Sequence, residues 1–308
     1  MLRSSLSRLA RDFVVADGAG FRLRNVRPGD TRGFAASKEE ADELLQQLIA
    51  QIALQQATLY AQNEWGMLLI FQAIDAAGKD SAIKRVFSGI NPQGVQVFSF
   101  KAPSAEELDH DFLWRTTVRL PERGRIGVFN RSYYEEVLVV RVHPELLGAA
   151  RLPERVVTKR IWQERFEDIN AFELHLARNG YLVRKFFLHV SKNEQAGRFL
   201  ERLEEPDKRW KFSMDDIRER KRWPDYMHAF EDAIRHTSTP HAPWIVVPGN
   251  KKWFARLVIA RTILDALEGL KLQPPRVSPG QERELGAVRT ALKKSIEPSR
   301  RGRKKPRG

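Results

Sequence analysis

Asp75, Lys79, Asp80 and Ser81 stand within seven residues of one another, in the stretch Phe71-Gln72-Ala73-Ile74-Asp75-Ala76-Ala77-Gly78-Lys79-Asp80-Ser81. Together they could hold phosphates. Gly78 lets the backbone approach closely, the amides of Ala76, Ala77 and Gly78 can cradle anionic oxygens, and Lys79 reaches an outer phosphate from the first turn of a helix. The strict phosphate-loop pattern is not met: Ala73 stands where the first Gly belongs, and Asp80 stands where Ser or Thr would hold a metal. A second cluster, Asn130-Arg131-Ser132 with Glu135 close behind, offers a guanidinium fork for phosphate oxygens.

Both clusters need a scaffold. Met67-Leu68-Leu69-Ile70-Phe71 is apolar without alternation, as in a strand covered on both faces, so the loop runs from strand to helix. Further strands are expected at Val95–Phe100, Ile126–Phe129, Tyr181–Val190 and Trp244–Val247, with Asn130 at the carboxyl end of the third strand, where ligands gather in open parallel sheets. Helical periods separate them. Ser37 and Glu40 form a capping box for a helix to about Gln62, and others are expected from Lys79, over Ser104–Val118, from Pro153, over Asn193–Leu203, from Ser213 to Arg235 and over Lys251–Leu270. This alternation predicts a doubly wound α/β fold with about five parallel strands. Residues 1–36 read as an irregular arm and 271–308 as a basic, disordered tail with a short helix around Glu282–Lys293.

The 308 residues carry a net charge of +14, half of it between Lys293 and Arg307, where eight Lys/Arg face the single Glu297. Such a balance calls for an anionic partner. The absence of cysteine removes disulfide and thiolate chemistry and suits a reducing, cytoplasmic setting. No apolar run approaches a membrane span, so no membrane role is expected. The seven histidines show no metal-binding spacing, and Lys101, Arg115, Arg184, Lys185 and Lys192 lie near strand ends, where some could line an anion track.

The loop around Asp75–Lys79 resembles, nearly residue for residue, the phosphate-binding loop of the polyphosphate kinase 2 family, which carries the extra Asp. Gly89–Gly94, Asp111–Arg115, Phe129–Glu135, Thr237–Thr239 and His241–Trp244 are similar to further blocks of that family in the same order, over roughly residues 36–270. The resemblance implies a P-loop kinase-like three-layer α/β/α fold and a homo-oligomer, a dimer or tetramer. It also implies in-line phosphate transfer from inorganic polyphosphate to AMP and ADP, giving ADP and ATP, with magnesium, or manganese in its place, held by Asp75. The strand-end position of Asn130 is usually Asp in members that interconvert nucleoside di- and triphosphates, and that of Glu135 is usually Asn. Their swap here resembles the class III subgroup, which accepts both mono- and diphosphates, and leaves Glu135 as a second metal carboxylate. A helical lid is implied over about 206–224, with Arg220 first and Arg218 second as phosphate contacts and Pro224 breaking the helix at Trp223. The alternatives are an ATP-dependent nucleoside or nucleotide kinase and, through the Arg300–Arg307 run, a nucleic-acid binder.

Overall fold

Seven consecutive residues, Gly66–Gln72, are all buried, and their side chains alternate between two apolar clusters: Met67, Leu69 and Phe71 face one, Leu68 and Ile70 the other. A strand with two dry faces requires cover on both sides, and the chain supplies it with helices. The structure is a computed structural model that describes residues 2–275 and 277–296. It divides into two compact units, the first ending at Leu272.

In chain order, the first unit has helix α1 (Leu2–Arg11), strand β1 (Val14–Val15), α2 (Lys38–Gln62), β2 (Gly66–Gln72), α3 (Lys79–Val86) and β3 (Val95–Ser99). Then come the one-turn helices α4 (Ala105–Leu108) and α5 (Trp114–Thr117), β4 (Ile126–Asn130), the short α6 (Val139–Val142), α7 (Ile161–Arg178) and β5 (Tyr181–His189). It closes with α8 (Lys192–Glu204), α9 (Met214–Lys221), α10 (Trp223–Thr237), β6 (Trp244–Pro248) and α11 (Lys252–Gly269). The strands lie in the order β1-β6-β5-β2-β4-β3, parallel except for β1. α2, α3 and α11 pack on one face, and α7, α10 and the 3-10 turn Tyr133–Val137 on the other, so the expected three-layer α/β architecture is the one observed. β2 lies between β4 and β5, and the chain passes from it first to β3 and β4 on one side and then to β5 and β6 on the other. Loops from the carboxyl ends of β2, β4, β5 and β6 therefore converge at one crevice.

Several expectations need correction. Residues 1–36 are not an irregular arm throughout, because α1 buries Leu6, Leu9 and Ala10 and Val14 pairs with Ile245 as a sixth, antiparallel edge strand. A two-residue strand leaves no periodicity to read. The expected helix over Ser104–Val118 is split, since the Asp111 side chain accepts the Leu113 amide at 2.9 Å and closes a turn in place of helix. The helix expected from Pro153 begins only at Ile161. Val156, Val157 and Thr158 are β-branched, and Thr158 Oγ1 takes the Arg160 amide at 3.1 Å. Ser37 and Glu40 do form the capping box that starts α2. In the second unit the short helix expected around Glu282–Lys293 is present and longer: α12 (Pro279–Ile296) starts at reciprocal bonds between Ser278 and Gln281. The Arg300–Arg307 run lies outside the described residues. Among the described residues no helix is long and apolar enough to cross a membrane.

Candidate active site

Two backbone positions set the shape of the site. Ala76 (φ 60°) and Gly78 (φ 92°) both adopt the left-handed conformation, which turns the loop after β2 tightly and hands the chain to α3. The φ of Gly78 favours glycine, and a Cβ there would also crowd the Arg198 guanidinium at 3.2 Å. Across the crevice, Arg131 (φ 66°) is a third residue in this conformation; its amide donates to the Phe71 carbonyl at 3.0 Å, which locks the end of β4 to the end of β2. Non-glycine residues in this region cost on the order of 1–3 kcal/mol and tend to cluster where a site needs an exact direction.

Arg131 then lies between the two predicted carboxylates. Its two terminal nitrogens donate to Asp75 at 3.0 Å and to Glu135 at 3.1 Å, while Gln72, from the buried end of β2, holds the other oxygen of Glu135 at 2.8 Å. Glu135 raises the Arg131 pKa against the opposing effect of burial, with Asp75 assisting. Lys79 donates to Asn130 Oδ1, and Asn130 Nδ2 donates to Asp80 at 2.9 Å and Ser99 at 3.3 Å. Burial lowers the Lys79 pKa, and Arg131 adds to this; Asp80, Glu135 and Asp75 oppose it. A bound phosphate would supply the negative charge that its surroundings underprovide. Ser81 turns its hydroxyl back to the Gly78 carbonyl at 2.9 Å.

Two cavities meet here. The first, of about 720 Å³, is lined by the loop Asp75–Ser81 and by Lys101, Asn130, Arg198, Arg202 and Asp216. The second, of about 660 Å³, is walled by Leu138, Val139, Leu146, Trp223 and Phe230, with Arg220 among its polar residues. Asp75 and Arg131 border both. Next to the second cavity, Glu219 on α9 accepts from Tyr226 at 2.6 Å and meets His143 Nε2 at 2.9 Å. Burial raises the Tyr226 pKa and the bond to Glu219 adds to it. For His143 burial acts downward, but the bonds to Glu219 and Glu145 prevail and raise the pKa.

Asp75 and Glu135, on either side of Arg131, suit magnesium, which takes one or two carboxylates and completes its shell with water and substrate phosphate. Among the described residues no group of three or more acidic or histidine side chains forms a cage that would bind it unaided.

All five predicted catalytic residues thus come together. Arg220 reaches the second cavity, but Arg218 does not join them: it is exposed and pairs with Asp215 of its own helix at 2.8 Å. α9 and α10 break at Arg222, ahead of Pro224, near the expected position. Lys185 cannot belong to an anion track. It is wholly buried, bonded to Glu173 at 2.5 Å, the Thr237 carbonyl at 2.6 Å and Tyr134 at 2.9 Å. Burial lowers the Arg184 pKa to about 10, and Lys101 alone of that group borders the first cavity. Sequence reasoning missed Gln72, Gln195, Arg198 and Asp216. Burial and the nearby Asp75 raise the Asp216 pKa. One signal was available for α8, because its buried stripe reads Gln195, Arg198, Phe199 and is polar where an apolar residue is ordinarily expected.

Comparison with known proteins agrees with this geometry. The family model described as Polyphosphate kinase 2 (PPK2) matches residues 35–275. The chain is 52% identical over 285 residues to an ADP-polyphosphate phosphotransferase of Rhodopseudomonas palustris, covering 92% of this chain and 98% of that one. It is 43% identical over 270 residues to an AMP/ADP-polyphosphate phosphotransferase of Meiothermus ruber, covering 88% and 97%. The crystal structure of polyphosphate kinase 2 from Arthrobacter aurescens TC1 superposes with a TM-score of 0.82 at 40% identity, over 91% of this chain and 96% of that one. A family model matched over residues 35–275, with relatives and a solved structure covering about nine-tenths of the chain, leads to one conclusion: the chain belongs to the polyphosphate kinase 2 family.

Proposed function

We propose that this protein transfers phosphate from inorganic polyphosphate to AMP and ADP, forming ADP and ATP. One observation carries the reading: a cationic cavity built on the phosphate loop and an apolar-walled cavity share the Asp75–Arg131 pair as their common border. A phosphate chain suits the first, where Lys79, Arg202 and Lys101 converge. A nucleoside suits the second, whose walls match the faces of a base. Donor and acceptor then face each other at Arg131, as an in-line transfer demands.

The roles follow from charge. Lys79 and the loop amides hold the donor's terminal phosphate, and Arg131 exchanges its carboxylate partners for the oxygens of the migrating group. Asn130 keeps Lys79 aimed, and Gln72 keeps Glu135 in place. Asp75, with Glu135, would hold magnesium, which supplies charge neutralisation between donor and acceptor phosphates. Both the name of the Meiothermus ruber relative, an AMP/ADP-polyphosphate phosphotransferase, and the pairing of Asn130 with Glu135 support acceptance of AMP as well as ADP. A homo-oligomer and a cytoplasmic setting belong to the same reading, the latter supported by the absence of cysteine.

Purified protein with magnesium, polyphosphate and AMP, but no ATP, should form ADP and then ATP. Formation of neither, with transfer from ATP to a nucleoside or nucleotide instead, would establish the ATP-dependent kinase reading. Glu135→Asn should selectively depress AMP phosphorylation; an unchanged AMP rate would refute the role given to Glu135.

A further inference from the structure

Behind the phosphate loop, α8 presents two polar side chains one turn apart, Gln195 and Arg198, which are 3% and 5% exposed. Both take loop carbonyls. Arg198 donates to Ala77 O at 2.6 Å and, through its other terminal nitrogen, to Gly249 O at 2.6 Å, while its Nε is held by Glu194 at 2.7 Å. Gln195 Nε2 donates to Asp75 O at 2.9 Å. With the turn that the Ala77 amide closes on the Ile74 carbonyl at 3.3 Å, these bonds fix the loop in one conformation.

Gln195 has a second partner. Its Oε1 accepts from Arg220 on α9 at 2.9 Å, and the same Arg220 nitrogen donates to the Lys192 carbonyl at 2.6 Å. One buried amide therefore touches the backbone of a proposed catalytic residue on one side and a cavity-lining arginine of a separate helix on the other. We propose that Gln195 is a positioning residue that couples the placement of α9 to the conformation of the phosphate loop. The inference rests on the reading of that loop as the phosphate site. A primary amide suits the position, because it donates to a carbonyl and accepts from a guanidinium at once. A methionine of similar length leaves both partners unsatisfied in a buried place. A glutamate keeps the acceptor for Arg220 but sets a lone pair against the Asp75 carbonyl.

The test uses the full chain without substrate, so that it does not depend on which donor the enzyme takes. Amide hydrogen exchange is followed at residues 76–82 and 214–222 in the wild type, Gln195→Met, Arg220→Met and the double variant. Coupling predicts that Arg220→Met speeds exchange in the loop by about fivefold in the wild-type background and by less than about twofold once Gln195 is methionine. Gln195→Glu, the second variant, should speed the loop alone and leave α9 protected. The proposal is overturned if Arg220→Met leaves the loop unchanged, if the two substitutions multiply independently, or if Gln195→Glu loosens both segments alike. In kinetics, Gln195→Met should lower kcat about tenfold with the nucleotide KM within twofold, as loss of loop preorganisation requires. A purely structural role would lower the melting temperature and leave no coupling in the exchange cycle. If the wild type used ATP in place of polyphosphate, the donor assignment would fail, and the exchange cycle would still decide the role of Gln195.

Discussion

Asn130→Asp places a carboxylate where the chain now has an amide, and the structure predicts the damage. Asn130 Nδ2 donates to Asp80 at 2.9 Å, while its Oδ1 takes Lys79. The substitution removes a charge-assisted hydrogen bond, worth about 1.5–3 kcal/mol, and sets two carboxylate oxygens against each other at that separation. The Asp80 side chain is 83% exposed, so water-like screening applies and limits the repulsion to about 1.4 kcal/mol. The new carboxylate also pairs with Lys79, which returns roughly 1 kcal/mol. A net loss of about 2 kcal/mol corresponds to roughly a 30-fold fall in kcat/KM. Initial rates of ATP formation from ADP and polyphosphate measure it. The decisive control is Asp80→Asn in the same chain, which reverses the donor and acceptor of the pair and should restore kcat/KM to within about fivefold of the wild type. If Asn130→Asp alone stays within threefold of the wild type, or if Asp80→Asn fails to rescue it, Asn130 does not act by bridging Lys79 and Asp80.

Lys185→Met leaves Glu173 and two tyrosines around an uncompensated buried charge, at a cost of about 3–5 kcal/mol; the melting temperature should fall by roughly 6–15 °C, and adding Glu173→Gln should recover part of the loss. Arg218→Ala should leave kcat/KM within twofold, whereas Arg220→Ala should lower it more than about tenfold, because only Arg220 faces the cavity. The bond between His143 and Glu219 gives the attachment of α9 a pH dependence. Since the folded pKa of His143 is raised, its stabilising contribution is complete below the ordinary imidazole value of 6.5 and is lost as pH rises through the folded pKa. Exchange of the α9 amides should therefore be slower at pH 6 than at pH 8 after correction for intrinsic rates, and His143→Gln should abolish the difference.

Much of the scaffold was legible in the sequence. Strands such as Gly66–Gln72 and Trp244–Pro248 are dry on both faces, and a run of uninterrupted apolar residues between polar helical segments admits few other structures. The loop between β2 and α3 was legible for a similar reason, since Gly78-Lys79 at a strand-to-helix junction carries a backbone requirement as well as a charge. Where local chemistry competed with a longer pattern, as at Asp111 and Thr158, periodicity alone misjudged where helix forms.

The residues that complete the site were decided by tertiary structure. Gln195 meets the Asp75 carbonyl across 120 positions of chain, and Arg198 meets Ala77 across 121. No local period encodes such a meeting; it follows from the sheet order, which brings the ends of β2 and β5 side by side. Lys185 shows the same limit in reverse. Its position near other strand residues suggested an exposed cation, yet its side chain points into the layer between the sheet and α7, where Glu173 awaits it. Arg218 and Arg220 make the point most simply. Two positions apart on a helix, they are separated by about 200° around its axis, so one turns outward when the other turns in. Their types and spacing in the sequence are compatible with either choice. The rotation of α9, set by the contacts of Arg220 with α8 and of Glu219 with Tyr226 and His143, determines which of them reaches the cavity.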